Sequence, residues 1–245
     1  MSIKAVLFDL DGTLLPMEQE VFIKTYFKGL GAKLAMHGYE PKELLENVWT
    51  GTMKMIKNDG SKTNDKVFWD YFVTKYGEKV LEDIRFFDEF YENNFDSVAS
   101  VCGHNLEAAK TVDILKEKGL RIALATNPVF PPIATIKRIG WARLSPEDFE
   151  IITNYENSRY CKPNPNYYMD ILNQMNLEPE ECLMVGNDVS EDMVAEKLGM
   201  KVFLLTDCLI NSTDRDISDF PNGSFKELLE YVEKNIKCRT NFIDK

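Results

Sequence analysis

The sequence is poor in histidine, with only His37 and His104 in 245 residues. Neither stands in a metal-ligand spacing, so neither is assigned a role. Cysteine is also scarce: Cys102, Cys161, Cys182, Cys208 and Cys238 form an odd, dispersed set. That set excludes a disulfide framework or a zinc motif and is expected of reduced cytoplasmic thiols. No apolar run approaches the roughly 20 residues of a membrane span, so no membrane partner is expected. The first residues enter an apolar strand with no basic region or cleavage site before it, so no secretory leader is expected. Positive charge is outweighed, with 29 Lys and Arg against 40 Asp and Glu and a net charge of −11. Such a balance excludes nucleic acid as a partner, because that binding relies on clustered cations. There is no internal repeat and no low-complexity segment.

What is present is an ordinary globular composition, 44% apolar and 28% charged, with length for one or two domains. The most informative stretch is Ala5-Val6-Leu7-Phe8-Asp9-Leu10-Asp11-Gly12-Thr13-Leu14. Its apolar run predicts a strand buried on both faces, with Asp9 and Asp11 at its C-terminal end and Gly12 turning the chain. Sites in open parallel sheets lie at those ends. Carboxylates this close repel unless a cation or a shared proton relieves them, so the pair points to a divalent metal, an acid/base pair, or both.

From Pro16 the periodicity becomes helical. Val21, Phe22, Tyr26, Leu30 and Leu34 form one set, and Leu44, Leu45, Val48, Trp49, Met53 and Ile56 a second. After the polar break 57–61 come Val67, Phe68, Tyr71, Phe72 and Tyr76, then Val80, Leu81, Ile84, Phe87, Tyr91 and Phe95. These predict an all-α bundle over 16–96, too long for a crossover and long enough for a subdomain. The aromatics are expected to be bundle core. Lys54, Lys57, Asn58 and Lys62 face either a substrate or solvent.

From Asn105 helix and strand alternate. Helices are expected at 106–118, closed by Gly119, at 133–139, closed by Gly140, and at 166–175, 191–198 and 225–236. Strands are expected at 120–125, 149–153, 182–185 and 201–205. The alternation predicts an α/β fold, a Rossmann-like parallel sheet with helices on both faces, made of 1–15 and 97–245, with 16–96 inserted.

Three further stretches fall at strand ends or beside them: Thr126-Asn127, Lys162 before Pro163, and Gly186-Asn187-Asp188 with Asp192. Taken singly, each is a common turn. Their order behind the Asp9-Leu10-Asp11-Gly12-Thr13-Leu14 stretch resembles the four motifs of the haloacid dehalogenase-like hydrolases across the whole chain. The resemblance implies that Asp9 is a nucleophile taking up a phosphoryl group and that Asp11 is the general acid and base. It assigns phosphoryl contacts to Thr126, Asn127 and Lys162, and a substrate-selecting cap to 16–96. An acid at Asp11 points to the phosphatase and phosphomutase branches, because the dehalogenase branch lacks one there. The fourth motif departs from the usual pattern, with Asn187 after the glycine and Asp188 behind it. A dication needs charge, so Mg²⁺ is expected on the Asp9 side chain, the Asp11 backbone carbonyl and the Asp188 side chain. Asn187, Asp192 and Thr13 are supporting residues, with Thr13 hydrogen bonding near Asp9 and Asp192 bracing Lys162. The expected activity is a Mg²⁺-dependent phosphatase of a small phosphorylated metabolite, acting as monomer or dimer. The alternatives are a beta-phosphoglucomutase-like phosphomutase and a non-catalytic phosphate- or metal-binding relative.

Overall fold

The computed structural model describes residues 2–235, so Ile236, expected to end the last helix, and Cys238 lie outside the described residues. β1 (Ala5–Phe8) is wholly buried and sits near the middle of a six-stranded parallel sheet. Its neighbours are β2 (Arg121–Leu124) and β4 (Cys182–Gly186), with Ala5 level with both Arg121 and Cys182. β3 (Ile151–Ile152) extends one edge, while β5 (Lys201–Leu205) and β6 (Asn222–Gly223) extend the other. The order β3-β2-β1-β4-β5-β6 sends the chain to one side of β1 and then to the other. The reversal beside β1 opens a crevice at its C-terminal end.

Alternate residues of β1 feed two cores. Val6 and Phe8 pack with Val112 of α5 (Leu106–Glu117) and Leu228 of α8 (Phe225–Asn235). Ala5 and Leu7 pack with Tyr168 and Ile171 of α7 (Pro165–Met175). A strand lined on both sides has no polar face, which is why its sequence is an unbroken apolar run.

Between β1 and α5 stand α1 (Gln19–Ala35), α2 (Pro41–Ile56), α3 (Asn64–Tyr76) and α4 (Val80–Asn93), followed by a 3₁₀ helix, Phe95–Val101. Their aromatics form a third core: Phe22, Tyr26, Phe72, Phe87, Phe90 and Phe95 are all buried in it. The chain leaves and re-enters the sheet side by side. Met17 bridges Cys102, and Gly103 N–H donates to the Pro16 carbonyl at 2.8 Å. Ser97, near the expected return, lies within the 3₁₀ helix instead.

Several boundaries differ from the sequence expectation. Gly140 does not close its helix. α6 (Pro132–Trp141) runs through it, and Arg143, at φ 60°, makes the reversal. The helix expected at 191–198 is a 3₁₀ segment, Met193–Leu198, because the residues before it are spent on a turn. In that turn Asp192 N–H donates to the Asp188 carbonyl at 2.9 Å. β3 is shorter than expected, and β6 has no apolar run to announce it.

Candidate active site

Asp9 extends β1, its N–H donating to the Val185 carbonyl at 2.9 Å. The residue is 7% exposed, and its Oδ1 accepts from Lys162 Nζ at 2.8 Å. Lys162 sits in the loop before α7, where Asn164 caps the helix by accepting from Asn166 N–H and Pro165 opens its first turn. Its ammonium also donates to Asp192 Oδ1 at 2.7 Å. Burial disfavours that charge, yet Asp192 and Asp9 together hold the Lys162 pKa well above its ordinary value. Asp192 is itself pushed up by burial and pulled back by Lys162. An ammonium this deep is tolerated only with carboxylate charge beside it. The glycine at 186 is required by the same packing, since a Cβ there would run into the Asp192 carboxylate.

Asp11 lies past the strand end. Its Oδ2 pairs with Arg138 Nη1, and its Oδ1 is buried without a partner. Burial is the main cause raising the Asp11 pKa; Arg138 opposes it, and the Asp9 charge adds a smaller push. Arg138 is not announced by the sequence. That guanidinium is fully buried and stacks 4.4 Å from the Phe130 ring centre, while its Nε donates to the Ala134 carbonyl at 3.2 Å. The available signal was an arginine one residue from Ile139, on the helix face that also carries Ala134 and Thr135.

Thr13 does not bond beside Asp9. Its Oγ1 donates to Asn187 Oδ1 at 2.9 Å, and Asn187 Nδ2 donates to the Cys208 carbonyl at 2.7 Å. Gly12 makes that contact possible: it takes φ +85°, and a Cβ there would collide with the Asn187 amide. Both ends of Asn187 are therefore committed to structure. Asp188 is partly exposed, and its Oδ1 accepts from Ser190 N–H at 2.7 Å and Glu191 N–H at 2.9 Å. Thr126 is buried at the tip of β2, and its carbonyl accepts from Tyr167 Oη at 2.8 Å. Asn127 Nδ2 donates to Glu191 Oε2 at 3.0 Å, leaving its own Oδ1 without a partner. Glu191, also missed in the sequence, is raised to about 8, mainly by burial.

These groups meet at a cavity of about 300 Å³ between the sheet ends and the inserted helices. Asp9, Asp11, Thr126, Asn127, Asn187, Asp188 and Asp192 line it, while Lys162 and Thr13 stand behind the wall. Asp9, Asp11, Asp188, Glu191 and Asp192 put five acids on its lining, of which Asp11 and Glu191 are held toward the neutral form by burial. The two cations near them, Lys162 and Arg138, are already in ion pairs. That surplus of hard oxygen and negative charge fits a dication. Among the described residues no three acidic, histidine or cysteine side chains form a cage. Two carboxylates, one backbone carbonyl and several waters suit Mg²⁺, which seldom takes an all-protein cage.

The family description "haloacid dehalogenase-like hydrolase" matches residues 3–199. Pyrophosphatase PpaX of Bacillus cereus is 25% identical over 202 residues, 82% of each chain. The HAD phosphatase of Thermococcus onnurineus shares the fold with a TM-score of 0.59 at 19% identity, over 96% of this chain and 100% of that one. The 2-haloacid dehalogenase of Pseudomonas syringae does so with a TM-score of 0.61 at 18% identity, over 95% and 99%. One fold thus carries both chemistries, and side chains must separate them.

Proposed function

This chain belongs to the haloacid dehalogenase-like hydrolase family, and from that premise we propose a Mg²⁺-dependent phosphatase of a small phosphorylated metabolite. The observation that carries the reading is one cavity wall holding Asp9, tied to Lys162 at 2.8 Å, with a second acid at Asp11. A dehalogenase has no use for the second acid, whereas ester hydrolysis needs a proton donor for the leaving oxygen.

Asp9 attacks phosphorus in line, and the bond to the ester oxygen breaks as the aspartyl phosphate forms. Asp11 delivers its proton to the departing oxygen. The released alcohol leaves, and Asp11 then takes a proton from the water that cleaves the acyl phosphate, regenerating Asp9. Lys162 and the Thr126 hydroxyl steady the phosphoryl oxygens, with Asn127 beside them. Arg138 fixes the direction of the Asp11 carboxyl. Mg²⁺, held by the side chains of Asp9 and Asp188 and the carbonyl of Asp11, would neutralise charge between nucleophile and phosphate. The helices of 16–96 act as the cap over this site.

The test is phosphate release by the purified protein. Turnover should require Mg²⁺ and vanish with EDTA. Asp9→Asn should abolish it, by roughly 10³-fold or more, while the circular dichroism spectrum stays native. Near-normal turnover in that variant would sink the mechanism.

A further inference from the structure

The cavity divides its chemistry unevenly. The floor, at the ends of β1 and β4, carries the carboxylates. The facing wall, from α1, α2 and the loop after β2, is built of Phe22, Ile23, Phe27, Trp49, Ile56 and Phe130. Among the described residues no lysine, arginine or histidine lines the cavity. Apart from Asn127 Oδ1, which has no partner, the polar groups on the wall are already used or stand at its edge. The Tyr26 hydroxyl shares a 2.7 Å hydrogen bond with that of Tyr91, Thr52 Oγ1 donates back to the Val48 carbonyl at 2.9 Å, and Gln19 is at the exposed mouth.

A leaving group that brought a second phosphate or a carboxylate would enter beside Asp9 and Asp188 and, beyond the charges engaged with the transferring phosphoryl, find no cationic side chain on the lining. A polyol would lose water from each hydroxyl with few partners in return. An apolar body loses nothing and covers ring and aliphatic surface that water now wets. Resting on the phosphatase reading above, we infer that the substrate is the phosphate monoester of a small, uncharged, mainly apolar alcohol, with an aromatic or branched aliphatic body. A cavity of about 300 Å³ lies at the small end of ligand sites, which holds the body to about one ring.

The experiment compares kcat/KM, with Mg²⁺ present, for benzyl phosphate and 3-methylbutyl phosphate against glucose 6-phosphate, phosphoglycolate, pyrophosphate and phosphocholine. The first two should lead by about tenfold or more, a typical return for filling an apolar pocket. A lead by any of the other four overturns the inference and leaves the phosphatase reading standing. No turnover of any ester overturns the phosphatase reading and this inference with it. Trp49 is 49% exposed at the rim, so Trp49→Arg can be made without opening the core. It should shift the ratio of phosphoglycolate to benzyl phosphate rates upward by about tenfold, by giving a carboxylate its missing partner. Ile23→Arg, on α1, repeats the test from a second position. An unchanged ratio in both folded variants would overturn the assignment of this wall to the leaving group.

Discussion

At the scale of residues, the fourth motif is where ligand and scaffold have to be told apart. Asn187 spends its carbonyl on Thr13 and its amide on the Cys208 backbone, so neither end is available. Asp188 uses Oδ1 to cap two N–H groups and remains partly exposed on the cavity wall. Charge makes the same choice, since an amide oxygen offers a dication no neutralisation. Asp188→Ala should raise the Mg²⁺ concentration for half-maximal rate by about tenfold or more. Asn187→Ala should move that concentration little and lower stability by about 1–3 kcal/mol, because the Thr13 hydroxyl and the Cys208 carbonyl lose their partner. Metal titrations of rate, read beside thermal melts, separate the two, and the opposite pattern would reverse the assignment. The acids, the lysine and the threonine of this site are legible in the sequence because each sits at a predictable place, a strand end or a helix start. Arg138 and Glu191 are not. Each is a polar residue on a helix or turn face whose partner is more than sixty residues away, at Asp11 and Asn127 respectively, and no local pattern reports such a distance.

At the scale of elements, periodicity shows where helices and strands run, and their ends follow from pairings that periodicity cannot see. The helix through Gly140 continues because nothing there demands a positive φ, and the reversal falls to Arg143. The N-terminus of α3 shows the same dependence on remote partners. Asn64 is fully buried, its Nδ2 donating to the Pro128 carbonyl at 3.0 Å and its N–H to the Ser158 carbonyl at 2.9 Å. Asp65 N–H donates to the Tyr155 carbonyl at 2.9 Å. Asn64 and Asp65 therefore latch the inserted helices to the sheet domain, while Lys54, Lys57 and Lys62 around the polar break are exposed to solvent and Asn58 is buried. Asn58 holds the shape of the break through Lys62 and Asn64, and Lys62 itself pairs with Asp70 at 2.6 Å. Asn64→Ala leaves the Pro128 carbonyl unpaired and should cost about 1–3 kcal/mol, or roughly 2–4 °C of melting temperature per kcal/mol in a chain of this size. The loosened latch should also raise KM several-fold while the aspartyl chemistry at Asp9 is untouched. Unchanged KM and melting temperature together would show that the contact does not hold the cap down.

At the scale of the whole molecule, the three cores are not independent. The aromatic core of the inserted helices includes Ala134, Tyr155 and Cys161 from the sheet domain, and Phe130 packs edge-on against both Phe22 and Tyr26. The covalent crossings lie together at Met17 and Cys102, and the latch at Asn64 lies far from them in the chain. A body held at a paired crossing and at a second, breakable contact can swing about the first when the second opens. The cavity sits between these supports; on the proposed phosphatase reading, the closed arrangement would admit what fits about 300 Å³ and keep bulk water from the acyl phosphate. An alternating sequence announces both the sheet and the insertion, but their closure depends on buried polar pairs spread over the chain. The rate should therefore also fall once the ester is too large for the cavity. Small monoesters should exceed a phosphoserine protein in kcat/KM by about 100-fold or more, the cost of holding the latch open to admit a bulky chain. Asn64→Ala should narrow that gap from the large-substrate side. Equal rates on both substrate sizes in the wild-type protein would mean that the inserted helices do not close over the site.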